Sequence, residues 1–479
     1  MFRRPKRLIA AAALALAAIA GSGAASANTV TGPSSSQSPY LVRSVPGVVT
    51  KSILTVGDSV NAKPDGTPYR MVGIPDGLGA FDNGDGTFTV LMHHELGNTA
   101  GIARAHGAKG AFVSKWTIRK DDLTVLHGED LIQRIATWNA ATGSYNAPAK
   151  GVALNRLCSA DLPPVSAFYD DGVGYDGRIF MDGEESGAEG RAFAHLMDGT
   201  SYELPRLGKF SRENSLANPA AGSKTVVVGT DDSNGGQIYV YVGAKSNSGS
   251  PIDRAGLTNG GLYGVKVAGF PSEIAASGIP SGTRFELAGL GSVESKTGAQ
   301  LETDSKAAGV TAFQRPEDGA WDPRNPRDFY FVTTASFTGS SRLWRLRFDD
   351  AEHPEAGGTI AMLLDGSEGQ KMMDNLAINE RGQVLIQEDP GGNPYVAKIR
   401  AYNLKTGSFA EIAQHDPARF VEGAPEFLTA DEESSGIIDA SDILGNGWYL
   451  LGVQAHYATD AELVEGGQLL ALHYPAGRK

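Results

Sequence analysis

Short apolar runs recur along the chain, each introduced by a polar turn and each closing on a polar or acidic residue. Six segments share this form: NGDG-TFTVLMHHE ending at Glu95, YDG-RIFMDGEE at Glu185, AGSK-TVVVGTDD at Asp232, PRD-FYFVTTA at Ala335, ERG-QVLIQED at Asp389, and GNG-WYLLGVQAH at His456. Further runs of the same kind follow most of them: QIYVYVG from Gln237, GLYGVKV from Gly261, RLWRLRFDD from Arg342 and QLLALHYP from Gln468. They are rich in Val, Ile, Tyr, Phe and Trp and bounded by Gly, Asp and Asn, which is the signature of strands between tight turns. Helical periodicity is scarce. The irregular spacing excludes a strict repeat of WD40 type. Similar β units separated by uneven insertions suit a propeller whose blades carry long loops. The pattern predicts an all-β fold, a six-bladed β-propeller with long inserted loops, occupying residues 45–479 as one domain. A large β-sandwich or two all-β domains is the alternative.

The first residues read differently. Arg3, Arg4, Lys6 and Arg7 precede an apolar run from Leu8 to Ala20 and a small-residue stretch ending Ala25-Ser26-Ala27. This is a charged start, a short apolar stretch and an A-x-A cleavage site, so residues 1–27 are expected to be a secretory signal peptide. The run is too short for a stable bilayer span, which argues against an uncleaved anchor. The Arg3-Arg4 pair hints at twin-arginine export, with Pro5 and Lys6 standing where that signal carries apolar residues. Residues 28–44 are expected to form a flexible segment. The protein is thus expected in the cell envelope or outside the cell.

Composition narrows the partners. The net charge is −13, so phosphate backbones repel the chain and sequence-independent nucleic-acid binding is excluded. Hydrophobic residues at 41% are enough for a sizeable core. One cysteine, Cys158, rules out an internal disulfide in an exported protein. It is either a small buried hydrophobe or a thiolate ligand. No later segment is long and apolar enough for a membrane helix, and a monomer is expected.

Rotational symmetry would give the acids a meaning. If the blades are related by rotation, Glu95, Glu185, Asp232 and Asp389 meet at one mouth. Converging carboxylates raise one another's pKa unless a cation sits among them, and Ca²⁺ takes six to eight oxygens. Glu213 in KFSRENS, Arg315 and Glu317 in QRPED, and Asp374 and Asn375 in MMDNLAI are candidates for loops entering the same mouth. EES and IID, near Glu433 and Asp439, are further candidates. His93, His94 and His456 are candidate metal ligands, with solvated histidines the alternative.

Several chemistries are excluded. There is no G-x-S-x-G elbow, no G-x-x-x-x-G-K-[ST] phosphate loop and no H-E-x-x-H. Gly172–Gly177 matches G-x-G-x-x-G but precedes a strand instead of opening a helix. Asp82-Asn83-Gly84-Asp85-Gly86 fails the EF-hand register and reads as a hairpin turn.

The stretches GIPDGLGAFDNGDGTFTVLMHHE, GRIFMDGEES, LGKFSRENS, RPEDGAWDP and DNLAINERGQVLIQEDP resemble the PhoX-type alkaline phosphatases, over roughly residues 45–475. The resemblance implies a six-bladed propeller exported through the twin-arginine route. It implies hydrolysis of phosphate monoesters at a site joining ferric iron and calcium through a bridging oxo group. The ligands it implies are Glu95, the thiolate of Cys158 on iron, the paired acids Glu184 and Glu185, Glu213, and Glu317. Arg315 is implied as a phosphate clamp, and Asp232, Asp374 and Asp389 as further ligands. Arg315 and Glu317 would carry catalysis, with no serine nucleophile needed. The chain departs from the family pattern after Cys158, where SADLPPVSAFYDDGVGYDGR precedes the paired acids, and after the RPE motif, where Asp318 replaces Trp. Two alternatives share a calcium-binding propeller: a lactonase or phytase-like esterase, and a non-catalytic binding protein.

Overall fold

The computed structural model describes residues 29–475. The expected signal peptide lies outside them. Six blades stand around one axis. Blade 1 comprises Pro75–Asp82, Thr87–His94, Phe112–Arg119 and Val125–Asp130. Blade 2 comprises Ile179–Gly183, Ala192–Leu196 and Thr200–Glu203, with Arg134–Ala136 added outside in parallel. Blade 3 runs through Arg212–Ala217, Lys224–Asp231, Ile238–Ala244 and Gly261–Val267. Blade 4 runs through Pro316–Trp321, Asp328–Thr333, Arg342–Phe348 and Gly358–Leu364. The strand Thr283–Gly291 pairs with the outer strands of both and joins them into one sheet.

Blade 5 comprises Met373–Ile378, Gln383–Glu388, Lys398–Asn403 and Phe409–His415. Blade 6 takes Glu432–Asp439, Trp448–Ala458 and Glu465–His473 from the end of the chain and Val49–Thr55 from its beginning. That shared blade closes the ring without a free edge at the seam. Of the segment 28–44, expected to be flexible, the described residues 29–44 contribute two edge strands: Leu41–Arg43 pairs with blade 5 and Thr29–Thr31 with blade 6. The β-branched Thr-Val-Thr and Leu-Val-Arg sequences supply the strand preference, and the open blade edges supply the partner.

The six runs picked out in the sequence are the second strands of the six blades. Each blade is sandwiched between two others, so successive residues of one strand enter different cores. Phe180 packs with Leu91 and Val113 of blade 1, while Met181 packs with Tyr239 and Tyr241 of blade 3. Ile386 packs with Val332 and Leu343 of blade 4, while Leu385 packs with Leu451 and Leu470 of blade 6. Six apolar clusters thus fill the six blade interfaces. This explains why the runs are nearly continuous instead of alternating. Truncating a central side chain such as Phe331 or Trp116 to alanine is expected to cost about 3–5 kcal/mol.

Among the described residues there is one substantial helix, unmarked by periodicity. Gly298–Ala308 is capped by Thr297, whose hydroxyl accepts from Gln300 N–H while Gln300 accepts from Thr297 N–H, and ends at Gly309 in the left-handed conformation. The Asp82–Gly86 turn closes the hairpin of blade 1 as expected.

Candidate metal centre

The inner strand of blade 2 is not a regular strand. Residues 157–161 fill its place, bridging Leu157 to Glu184 and Asp161 to Met181. Gly77 N–H donates to the Cys158 carbonyl at 3.2 Å. A Cβ on Gly77 would lie 2.5 Å from Ala160 N and 2.7 Å from the Cys158 carbonyl oxygen, so only glycine lets this segment lie against blade 1.

With that segment included, the six blades superpose residue by residue at the upper mouth. The aligned pairs are Pro75–His94, Leu157–Glu184, Arg212–Asp231, Pro316–Thr333, Met373–Glu388 and Glu432–Ala455. The next residue on each inner strand is Asp76, Cys158, Glu213, Glu317, Asp374 or Glu433. The next residue on each second strand is Glu95, Glu185, Asp232, Thr334, Asp389 or His456. The backbone N–H of each of these second-strand residues makes the same bond, to the carbonyl of Ile74, Arg156, Ser211, Arg315, Met372 and Asp431 respectively, at 2.8–3.0 Å. Four of those acceptors sit in the left-handed region, with φ of 51° at Ile74, 49° at Arg156, 59° at Arg315 and 42° at Met372. A non-glycine residue in this region is strained, and such strain concentrates at functional sites. The inner strands of blades 1, 3, 4 and 5 also slip register here, which re-aims the side chains that follow.

The result is a basin of carboxylates and one thiol. Four groups of three ligand atoms each lie within 4.8 Å of one another: Asp76–Glu95–Cys158, Cys158–Glu185–Glu213, Glu213–Glu317–Asp374 and Asp374–Asp389–Glu433. Shared members link the groups into an arc. Burial, then Glu95 and Glu433, drives the Asp76 carboxyl well above its usual range. Burial, then Asp232 and Asp374, does the same for Glu317. Burial, then Glu433 and Glu213, does so for Asp374. Glu213 is pushed up to about 8, mainly by burial, with Asp232 and Asp318 adding to it. The Cys158 thiol is raised by burial and by Asp76 and Glu213. It lies 3.4 Å from Asp76 Oδ2, while Asp76 Oδ1 is buried with no hydrogen-bond partner. Crowded, buried groups that are nearly all acceptors, with an orphan oxygen among them, fit a cation cluster.

Cationic side chains edge the basin. Arg315 grips Asp232 through Nε at 2.8 Å and Nη2 at 2.7 Å, and Nη2 also lies 3.0 Å from Glu317. Arg156 Nη2 lies 2.7 Å from Glu95 and also bonds the Glu185 carboxylate. His456 Nδ1 lies 2.6 Å from Glu465.

Of the residues expected from sequence, Glu95, Cys158, Glu185, Glu213, Glu317, Asp374 and Asp389 come together. Glu184 does not. It faces away from the basin, with Arg191 bonding its carboxylate through Nε at 2.7 Å and Nη2 at 2.6 Å, because neighbours on a strand point to opposite faces. Asp232 sits on the outer ring but is taken up by Arg315. Arg315, Glu317, Asp374 and Asn375 belong to inner strands or their immediate starts, not to loops. His93 and His94 are fully buried and reach none of the carboxylate groups. His93 Nδ1 lies 2.6 Å from the Cys158 carbonyl and its Nε2 2.9 Å from Asp182, whose other histidine, His195, lies 2.6 Å away. His94 contacts Ser114 and the Gly73 carbonyl. Asp439 sits at the opposite end of the axis, beside the lower cavity.

Sequence reasoning missed Asp76 and Arg156 and reached Glu433 only as a neighbourhood. A signal existed. Asp76-Gly77, Glu213-Asn214, Glu317-Asp318, Asp374-Asn375 and Glu433-Ser434 each place an acid before a small or polar residue, one strand ahead of an apolar run.

Fold and site together define a six-bladed β-propeller with an acidic, thiol-bearing basin on its axis. The family model for alkaline phosphatase PhoX matches residues 197–434. The structure of Pseudomonas fluorescens PhoX in complex with vanadate superposes with a TM-score of 0.66 at 12% identity, covering 89% of this chain and 95% of that one. A putative TolB from Agrobacterium tumefaciens (TM-score 0.32, 10% identity, 72% of this chain and 84% of that one) and Trypanosoma rangeli sialidase (0.38, 10%, 90% and 60%) are more distant. No curated protein matches in sequence. Residues 197–434 thus belong to the PhoX alkaline phosphatase family, and the protein is a phosphoric ester hydrolase.

Proposed function

We propose that this protein is an exported, metal-dependent phosphatase that hydrolyses phosphate monoesters in the axial basin. The observation that carries this reading is the arc of linked ligand groups, in which Cys158, Glu213 and Asp374 join neighbouring sets. The thiol-bearing groups, Asp76–Glu95–Cys158 and Cys158–Glu185–Glu213, suit iron, since thiolate is a soft ligand. The all-carboxylate groups, Glu213–Glu317–Asp374 and Asp374–Asp389–Glu433, suit calcium. Bound there, such ions would supply positive charge against the phosphoryl oxygens and lower the pKa of an attacking water.

The chain's own residues do the rest. Arg315 offers the remaining end of its guanidinium fork, Nη1, to the phosphoryl group as a charge-assisted donor. Its bidentate bond to Asp232 and its left-handed backbone fix where that fork points. Asp232 therefore acts as the anchor of the clamp, and Glu184 as the partner of Arg191, in place of the ligand roles the family resemblance implied. His93 bonds the Cys158 carbonyl and so fixes the backbone that carries the thiol. The sequence of residues 1–27 supports export.

Two measurements test the reading. Chelation is expected to abolish phosphate release from a chromogenic phosphomonoester, and calcium to restore it. Arg315→Ala is expected to abolish release in a folded protein. Turnover unaffected by chelator, or normal turnover in Arg315→Ala, would contradict it.

A further inference from the structure

The two arginines at the basin occupy rotationally equivalent positions. Arg156 stands two residues before Cys158 and Arg315 two residues before Glu317, both in the left-handed region and both with a carbonyl bonded to a second-strand N–H. They lie on blades 2 and 4 and so flank the sector of blade 3, where Glu213 sits. Their attachments differ. Arg315 spans one outer and one inner acid, Asp232 and Glu317. Arg156 is tied to two outer acids, Glu95 and Glu185, with Nε also donating to the Glu185 carbonyl at 3.0 Å. The Arg156 side chain is 49% exposed and that of Arg315 34%. One guanidinium therefore reaches toward the floor of the basin and the other stays at its rim.

We infer that Arg156 is a specificity-determining residue that binds a second anionic group on the substrate's leaving alcohol. The inference rests on reading the basin as a phosphoester site. A phosphoryl group seated over the inner ring meets Arg315, and its ester substituent extends outward past Arg156. On this side of the mouth the neighbours are the carboxylates Glu95, Glu185 and Glu213, which repel a negatively charged substituent, while His456 stands on blade 6. With Nε and Nη2 held by Glu185 and Glu95, Arg156 presents Nη1 at that rim as a charged donor, suited to a carboxylate or a second phosphoryl group. The preferred substrate class is then a phosphate monoester with an anion a few bonds from the ester oxygen.

The test is calorimetric titration of the metal-loaded protein with ethylphosphonate and with phosphonoacetate, which differ by the added carboxylate. The wild type is expected to bind phosphonoacetate about tenfold more tightly, the size of one charge-assisted hydrogen-bond pair. In Arg156→Ala that preference is expected to collapse to near unity, and Arg156→Lys to restore part of it. For hydrolysis of 2-phosphoglycolate the loss is expected in KM more than in kcat. Equal wild-type affinity for the two phosphonates overturns this inference alone. A preference that survives Arg156→Ala also overturns it. Loss of iron or calcium from Arg156→Ala overturns it too, since Arg156 would then serve only to hold Glu95 and Glu185. Wild-type binding of neither phosphonate overturns the phosphoester reading and this inference with it.

Discussion

At the upper end of the axis, burial and neighbouring acids push the carboxyls of Asp76, Glu213, Glu317 and Asp374 upward, and Asp76 Oδ1 is left without a donor. One or two residues further along the same strands, the polar groups are satisfied. Asn214 donates to Asp318 at 2.7 Å and Leu376 N–H donates to its other oxygen at 3.1 Å. Asn375 donates to Ser159, Ser159 donates to Glu213, and Gly436 N–H donates to Asn375 at 2.8 Å. Below this layer the axis opens into a cavity of about 230 Å³ lined by Leu216, Ala320, Ile378 and Ile438. Asp161, at that level, accepts from Ala217 N–H. Asp182 differs in what faces it: His195 and His93 both lie on its Oδ2, although its Oδ1 has no hydrogen-bond partner. Burial alone would raise its pKa, but His195 and His93 outweigh burial and leave it at about 2. Carboxylates with donors hold the fold together, and carboxylates crowded against more acids than donors make a site that needs a cation.

Substitutions should separate the two kinds. Glu317→Ala is expected to lower kcat/KM for a phosphomonoester by a hundred- to a thousandfold or more, the order seen when a preorganised charge is removed. The melting temperature of the metal-free protein should not fall, because a repelling carboxylate has gone. A large drop in that temperature would erase the distinction.

Asp182→Ala should do the reverse. Breaking a buried, doubly bonded charge is expected to cost about 3–5 kcal/mol in denaturant unfolding. The folded pKa lies below the ordinary 3.8, so the stability Asp182 contributes is present above pH 4 and is lost as pH falls toward 2. An Asp182→Ala variant as stable as the wild type would show that the lower layer is not held by this group.

The basin also sets a pH dependence that reverses with metal. Glu213 and Asp389 are each raised to about 8, chiefly by burial. A raised folded pKa means that stability is fully present below about pH 4 and lost as pH climbs through 8. The melting temperature of metal-free protein should therefore fall between pH 5 and pH 8.5. The same carboxylates must ionise to bind a cation, so the rise produced by calcium should grow over that window. At a hundred times the dissociation constant it would reach about 2.7 kcal/mol. A calcium effect independent of pH would contradict this assignment.

Glu184→Gln is the smallest change. It keeps an acceptor oxygen and removes the charge facing the partly exposed Arg191, outside the basin, so a loss of about 1 kcal/mol is expected with metal content unchanged. Loss of metal in this variant would return Glu184 to the ligand set.

What the sequence revealed follows from the same contrast. The six second strands were legible because both of their faces are apolar, as in TVVVGT and QVLIQE. The inner strands were not, because one face lines a polar axis. RENSLA, PEDGAW, MDNLAI and EESSGIID read as loops. Asp76 was missed because Pro-Asp-Gly reads as a turn, and the Cys158 segment because it replaces a strand with an irregular insert. Acids at the ends of apolar runs were visible, and those opening the inner strands were visible only where a family motif marked them. The ligand role of Glu184 could not be judged from the motif, since which of two adjacent acids faces the axis depends on register.

The central claim is that rotational closure gathers these acids and Cys158 into a cation-holding basin. Metal analysis of the purified protein, wild type and Glu213→Ala side by side, tests it most directly, because Glu213 belongs to both a thiol-bearing and an all-carboxylate group. The account predicts stoichiometric calcium with iron in the wild type and loss of both kinds of ion in the variant. A wild-type protein that is active and carries neither metal would contradict it.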